Sequence, residues 1–290
     1  MSQKILLITG GSGYLGRPLT AKAVDSFQVY TTYSRHPDQI KAGQASPLDL
    51  TRRDDVLRLV GDLSPQAIIH AAAVNPGQGD DETMRQVNAL GSRYIAEAAV
   101  AVGARLVHVS SDMVHDGKHA PYADDAPPSP LSGYGRSKAE AEAAVAEIDP
   151  TAAVVRTSLI YGLAEMDRGT EGFVARLRAN QPLVLFSDAI RQPVWVESLA
   201  GALLKLAAEK ADFAGLLNVA GRQVLSREEF GRRMLQWWQV DPGDRLQSGR
   251  AADISAAIPL DLRLSVSKAE QILQMRLPGV DEVLAQGVAK

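Results

Sequence analysis

The stretch Ile5-Leu6-Leu7-Ile8-Thr9-Gly10-Gly11-Ser12-Gly13-Tyr14-Leu15-Gly16 reads as a strand, a tight turn and the start of a helix. Four successive large apolar residues without alternation suit a strand buried on both faces, as in a parallel sheet. Gly10, Gly13 and Gly16 then recur at every third position. The first permits the turn, the second lets the backbone approach a pyrophosphate, and the third lets the helix pack closely on the sheet. The free N–H groups and partial positive charge of that helix start suit a phosphate. Gly10, Gly13, Tyr14, Leu15 and Gly16 are therefore expected to hold a dinucleotide.

Outward from this stretch, strand and helix patterns alternate. Strands are expected at residues 28–33, 67–70, 105–110 and 152–157. Helices are expected at residues 14–24, 51–63, 80–102 and 133–148, the second opened by a capping box at Thr51-Arg52-Arg53-Asp54 and the third closed by Gly103. Helical crossovers between buried strands imply an α/β protein with a Rossmann-type doubly wound parallel sheet. After Gly162 the rhythm breaks. Residues 169–172 and 241–259 read as loops, with helices at 173–179, 197–208, 226–238, 266–274 and 279–286, and strands at 183–186 and 216–219. The expected organisation is an NAD(P)-binding Rossmann domain at residues 1–162 and a smaller carboxyl-terminal substrate lobe at residues 163–290, interleaved with the last sheet strands.

The 290 residues are 46% hydrophobic and 22% charged, enough to build a core. A net charge of -3 without a basic run argues against nucleic acid or an anionic membrane as the partner. The absence of cysteine removes disulfides, thiol catalysis and cysteine-held metals. No apolar run approaches the ~20 residues of a membrane span, and no signal-peptide pattern is read, so a cytoplasmic protein is expected. No histidine or carboxylate spacing suggests a metal. His70 and His108 read as core residues on strands, His115 and His119 as loop residues, and the glutamates of residues 139–147 as a solvated helix face.

A dinucleotide site that takes the unphosphorylated ribose usually carries an acid about 20 residues past the glycines. Here the second strand ends in Ser34 and Arg35 instead. A guanidinium pairs well with a 2′-phosphate, so NADP is the expected cofactor and NAD the alternative. Tyr134 and Lys138, at i and i+4, share a helix face. An ammonium beside a phenol stabilises the tyrosinate and lowers its pKa toward a useful general-acid range. Ser111 follows a strand whose carboxyl end is where ligands sit in such sheets, and its hydroxyl can hold a substrate oxygen.

Together these features resemble the extended short-chain dehydrogenase/reductases, and more narrowly the dTDP-4-dehydrorhamnose reductase group, over nearly the whole chain. The resemblance rests on the glycine loop, on Tyr134 and Lys138 as Tyr-x-x-x-Lys, on residues 110–117 as Ser-Thr-Asp-Tyr-Val-Phe-Asp-Gly, on residues 155–162, and on the run from Arg191 to Val196. It implies that Asp49 and Leu50 contact adenine, that Ala71, Ala72 and Ala73 line the cofactor, and that Asn88 supports a proton relay. It also implies that Ser111, Met113 and Arg191 face the substrate. Met113 stands where the group has a tyrosine, and His115 where it has a phenylalanine.

The resulting expectation is NADPH-dependent reduction of a ketone, a nucleotide-linked 4-keto-6-deoxysugar by resemblance. Ser111 and Tyr134 hold the oxygen, Tyr134 donates the proton, and Lys138 acts on the phenol and the nicotinamide ribose. A homodimer is compatible with this reading. The rivals are a sugar-nucleotide epimerase and an NADP-binding regulatory subunit without turnover, as in the methionine adenosyltransferase β-subunit.

Overall fold

The computed structural model describes residues 3–288, with the side chain of residue 288 left out. Seven strands form one parallel sheet: β1 (Ile5–Thr9), β2 (Gln28–Tyr33), β3 (Gln44–Pro47), β4 (Ala67–His70), β5 (Arg105–Ser111), β6 (Ala153–Thr157) and β7 (Gly215–Val219). Their spatial order is β7-β6-β5-β4-β1-β2-β3. The chain winds outward from β1 to β3, then returns to β4 and winds the other way. The reversal between β1 and β4 opens a crevice at the carboxyl ends of the strands, the place where such sheets bind ligands.

Alternate residues of each strand point to opposite faces. Leu6, Ile8, Ile69, Val107 and Val155 pack under helices α1 (Gly16–Ala23) and α6 (Val196–Ala208). Leu7, Ile68, Leu106 and Val154 pack under α2 (Arg53–Leu63), α3 (Gly91–Val102) and α4 (Gly133–Ile148). Both faces are covered, which is why the strands lack alternation. Full burial of each such side chain contributes about 1.5–3 kcal/mol.

Several elements differ from their sequence patterns. The edge strand β3 is polar and short, so hydrophobic periodicity does not register it. Residues 80–102 are not one helix. A single turn at Asp81–Met84 passes through a π-helical stretch, Arg85–Leu90, before α3 begins. There Asn88 turns inward to bond the backbone of Val74, and Gly91 sits against Leu50; such wide turns are common at functional sites. Thr51 does not cap α2. Its N–H and hydroxyl donate to Asp49 Oδ1 at 2.9 and 2.7 Å.

Residues 163–195 and 220–288 build most of the remaining mass. α5 (Arg168–Arg178) includes the glycines read as a loop, because Asp167 caps it by accepting the Thr170 N–H at 3.1 Å. α7 (Arg227–Trp237) has a capping box between Ser226 and Glu229. The stretch 241–259 contains a strand, Leu246–Gly249, that pairs in parallel with Leu183–Phe186. α8 (Ser267–Leu273) and α9 (Val280–Val288) close the chain. Meanwhile α6 and β7 lie in the main sheet layers, so the chain leaves the sheet after β6, returns for them, and leaves again.

The glycine turn itself is sterically determined. Gly10 has φ +75°, and a Cβ there would lie 2.8 Å from Ala72 Cα. A Cβ on Gly16 would lie 2.1 Å from the Gly10 carbonyl oxygen. Gly16→Ala is therefore expected to destabilise the ligand-free protein by about 1–3 kcal/mol through overpacking. Urea unfolding checks it; an unchanged midpoint would mean that α1 can move away from the turn at no cost.

Candidate active site

The glycine turn joins the next strand end through a chain of polar contacts. Ala72 N–H donates to Thr9 Oγ1 at 3.2 Å, and Thr9 Oγ1 lies 2.7 Å from His70 Nδ1. His70 Nε2 lies 3.0 Å from Ser92 Oγ, which donates to the Asn88 carbonyl. Reading donors in order, Thr9 gives its proton to Nδ1 and His70 gives its Nε2 proton to Ser92. Every member is then satisfied. Burial, aided by the Lys138 charge, drives His70 down to about 3, so the ring stays neutral.

Among the described residues no protein acceptor meets the N–H groups of Tyr14 and Leu15. They stand at the start of α1, which has no acid in its first turn. These free donors and the bare Gly10–Gly13 surface fit a dinucleotide pyrophosphate. The Ser12 hydroxyl donates to the Arg35 carbonyl at 3.0 Å, which brings the exposed Arg35 and Ser34 to the rim of the turn. Asp49 is exposed with one carboxylate oxygen committed to Thr51, while Leu50 is buried in the core. Ala71, Ala72 and Ala73 are half-buried beyond β4, over the turn.

A tether that sequence reading missed crosses this region. Arg17, one residue past the last loop glycine, pairs with Glu165, and the Tyr14 hydroxyl donates to the Glu165 carbonyl at 2.9 Å. Burial, with Asp167 and Glu165 adding to it, pushes the Tyr14 phenol well above its usual range. No local pattern links positions 148 residues apart, so only the fold could show this contact.

Ser111 ends β5 and is 8% exposed. Its hydroxyl accepts the Met113 N–H at 3.2 Å and lies 3.3 Å from Asp112 Oδ1. Asp112 is itself buried and takes the Ser158 hydroxyl at 2.7 Å. Burial pushes its carboxyl up, against the pull of Arg191. Tyr134 lies in the first turn of α4, capped by Ser132, which accepts the Gly135 N–H at 3.1 Å. Gly135 brings this turn onto the strand end: a Cβ there would sit 2.2 Å from the Met113 carbonyl oxygen. Burial, with the Asp112 charge adding to it, pushes the Tyr134 phenol up to about 12, and the nearby Ser111 hydroxyl pulls the other way.

That direction corrects the expectation of a lowered phenol. Lys138, 2% exposed, donates instead to the Val109 carbonyl at 2.7 Å and lies 3.3 Å from His108 Nε2. Burial brings its ammonium down to about 8, with Glu142 pulling the other way. No hydrogen bond joins the Asn88 side chain to Lys138. Its amide accepts the Val74 N–H at 2.8 Å and donates to Ser137 Oγ at 3.0 Å, so it holds the β4 loop against α4. Arg191 is 6% exposed and donates to the carbonyls of Ile190, Leu260 and Pro259. Met113 is half-buried against Tyr122, Leu262 and Leu264.

One further expectation changes, and one loop residue proves buried. Glu142 is not on a solvated face. One helical turn past Lys138, it meets Arg156 of β6 in a two-pronged pair, Nε to Oε1 at 3.0 Å and Nη2 to Oε2 at 2.7 Å, and accepts the Ser110 hydroxyl at 2.6 Å. Their side chains are 0% and 6% exposed. His115 is buried too, stacked on Tyr122 with ring centroids 3.9 Å apart. Among the described residues, no group of three or more histidines or carboxylates is placed to hold a metal ion, and no helix is long and apolar enough to cross a membrane.

Arg156→Met should leave Glu142 buried without its cation and cost about 3–5 kcal/mol, whereas Arg156→Met with Glu142→Leu should recover much of the loss. Denaturant unfolding of the two variants decides it. A double variant as unstable as the single one would mean that the pair is not what the region depends on.

The sequence also matches known proteins along its length. The family described as the RmlD substrate binding domain matches residues 3–290. A dTDP-4-dehydrorhamnose reductase of Mycobacterium tuberculosis is 35% identical, over 82% of this chain and 76% of that protein. The methionine adenosyltransferase 2 subunit beta of Xenopus tropicalis is 29% identical, over 92% and 81%. Among solved structures, a Bacillus anthracis dTDP-4-dehydrorhamnose reductase in complex with NADP is 23% identical with a TM-score of 0.85, covering 99% of this chain and all of that one, a likeness of fold. With a match spanning all but its first two residues, the chain belongs to the RmlD substrate binding domain family, within the extended short-chain dehydrogenase/reductases.

Proposed function

We propose that this protein uses NADPH to reduce the keto group of a nucleotide-linked sugar, a 4-keto-6-deoxysugar. The observation that carries this is the grouping of Ser111, Tyr134 and Lys138 about the carboxyl end of β5, on the same edge of the sheet as the free N–H groups of the glycine turn. The relatives named dTDP-4-dehydrorhamnose reductase support the substrate class.

Gly10, Gly13, Tyr14, Leu15 and Gly16 would take the pyrophosphate, Arg35 and Ser34 the 2′-phosphate, Asp49 and Leu50 the adenine side, and Ala71, Ala72 and Ala73 the nicotinamide side. NADPH supplies the hydride when bound. Ser111 holds the ketone oxygen by turning its one hydroxyl proton from the long contact with Asp112 Oδ1, 3.3 Å, onto the substrate, while Met113 N–H keeps the hydroxyl oxygen in place. Tyr134 holds the proton that this oxygen receives. A phenol pushed up to about 12 is fully protonated at neutral pH, the state an acid needs. Lys138 would bind the nicotinamide ribose. Asn88 positions α4 through Ser137. Met113 and Arg191 shape the substrate side, Arg191 by fixing the backbone around residue 260.

The 29% identity to methionine adenosyltransferase 2 subunit beta favours a second reading, an NADP-binding regulatory subunit without turnover. The first reading further takes the protein to be cytoplasmic and homodimeric.

NADPH oxidation followed with dTDP-4-dehydrorhamnose separates the two readings. Turnover should appear, and Tyr134→Phe should lower it by ~100-fold or more while NADPH still binds. Near-normal turnover in that variant would remove Tyr134 as the acid, and none in the wild type with any 4-keto sugar would favour the regulatory reading. The cofactor choice is tested separately. NADPH should bind more tightly than NADH, and Arg35→Ala should narrow the gap by roughly one charge-assisted contact, ~10-fold. Tighter NADH binding by the wild type would reverse the assignment.

A further inference from the structure

His108 lies on β5, fully buried, and its two ring nitrogens are in different situations. Nε2 is 3.3 Å from Lys138 Nζ, whereas Nδ1 is enclosed without a hydrogen-bond partner. An ammonium has three donors and no lone pair. The nitrogen that faces it must therefore present a lone pair, which puts the ring proton on Nδ1, the nitrogen with no acceptor. His70 makes the contrast. Its ring is 5.3 Å away, centroid to centroid, and both its nitrogens are met by Thr9 and Ser92. A buried donor left unmet works against folding. The other tautomer would turn the Nε2 proton onto the ammonium, so Lys138 dictates which nitrogen carries the proton.

We propose that His108 is a positioning residue for Lys138. Its Nε2 and the Val109 carbonyl, successive positions on one strand, take two of the three ammonium N–H groups and leave the third for a ligand. This rests on the role given to Lys138 above. The charged and titratable groups around the ammonium are His108 from β5, His70 from β4 behind it, Glu142 one turn along α4 and Tyr134 one turn back. Glu142 is committed to Arg156 and Ser110. Burial first, then the Lys138 charge, hold both histidines far below the usual imidazole range. Neither ring adds a positive charge at neutral pH, and His108 acts there purely as an acceptor.

Removing that acceptor disfavours the charged lysine. In His108→Leu, Lys138 should lose its proton roughly one pH unit lower than in the wild type, a ~10-fold change in proton affinity. In His108→Gln the amide oxygen can accept in place of Nε2, and the midpoint should return toward that of the wild type. The titration can be read by NMR from the carbon next to the Lys138 amine, in lysine-labelled protein without cofactor, with the signal assigned by Lys138→Arg. The wild-type midpoint should lie at about 8. An unshifted midpoint in His108→Leu, or an equal fall in His108→Gln, overturns the contact. If the leucine variant does not fold, His108→Asn, whose shorter amide falls short of Nζ, replaces it in the same comparison. NADPH binding by Lys138→Met separates the two levels. Unchanged affinity would overturn the cofactor role of Lys138, while the NMR titration judges His108 independently of it.

Discussion

The Arg156–Glu142 pair is the interaction on which the site depends. An arginine from the interior of β6 and a glutamate from α4 meet where neither reaches water, and each satisfies the other two-pronged. The remaining valences reach further. Glu142 also takes the Ser110 hydroxyl, one residue before Ser111, and Arg156 Nη1 donates to the carbonyls of Asp124 and Ala126. One ion pair thus ties two neighbouring strands, the helix that carries Tyr134 and Lys138, and the loop that follows Met113. Such a pair is weak evidence for net stability. Its consequence is geometric, because a buried charge without its partner is costly enough to exclude other arrangements of these four elements.

On the other side of β5 a neutral chain does comparable work. Thr9, His70, Ser92 and Asn88 connect the residue before the glycine turn to the backbone of the π-helical stretch. Asn88 continues the connection to Val74 and Ser137. The turn that fits a pyrophosphate and the helix that carries the tyrosine are therefore joined through hydrogen bonds whose directions are all determined. Lys138 sits between the charged and the neutral network. Glu142 favours its charge and burial opposes it, which leaves the ammonium at about 8.

Most of the sheet was legible in the sequence because burial on both faces writes itself as unbroken apolar runs. β1, β4, β5 and β6 carry one, and β2 is marked instead by its β-branched and aromatic residues. β3 was not legible, since an edge strand held by backbone bonds to one neighbour needs no apolar side chains. Of α5 only the second half was legible, because Gly169 and Gly172 suggest a loop until the Asp167 cap is seen. The π-helical stretch was hidden for a similar reason. Its side chains keep a helical spacing, and only the inward turn of Asn88 widens the coil.

What the sequence determined by itself was the identity and order of the chemical groups: the glycines that a close turn requires, the Tyr134–Lys138 spacing on one helix face, and Ser111 at a strand end. These are local, set by backbone sterics and helix periodicity within a few residues. What only the tertiary structure decided was which polar groups are buried together. Glu142, His115 and the Arg17–Glu165 tether look in the sequence like surface or loop residues. The direction of the Tyr134 shift was likewise beyond local reading, because it depends on how deeply the phenol is buried and on where the Lys138 ammonium spends its hydrogen bonds. Desolvation and charge pairing are properties of three-dimensional surroundings, and residues 14 positions apart, such as Glu142 and Arg156, share them only once β6 lies beneath α4.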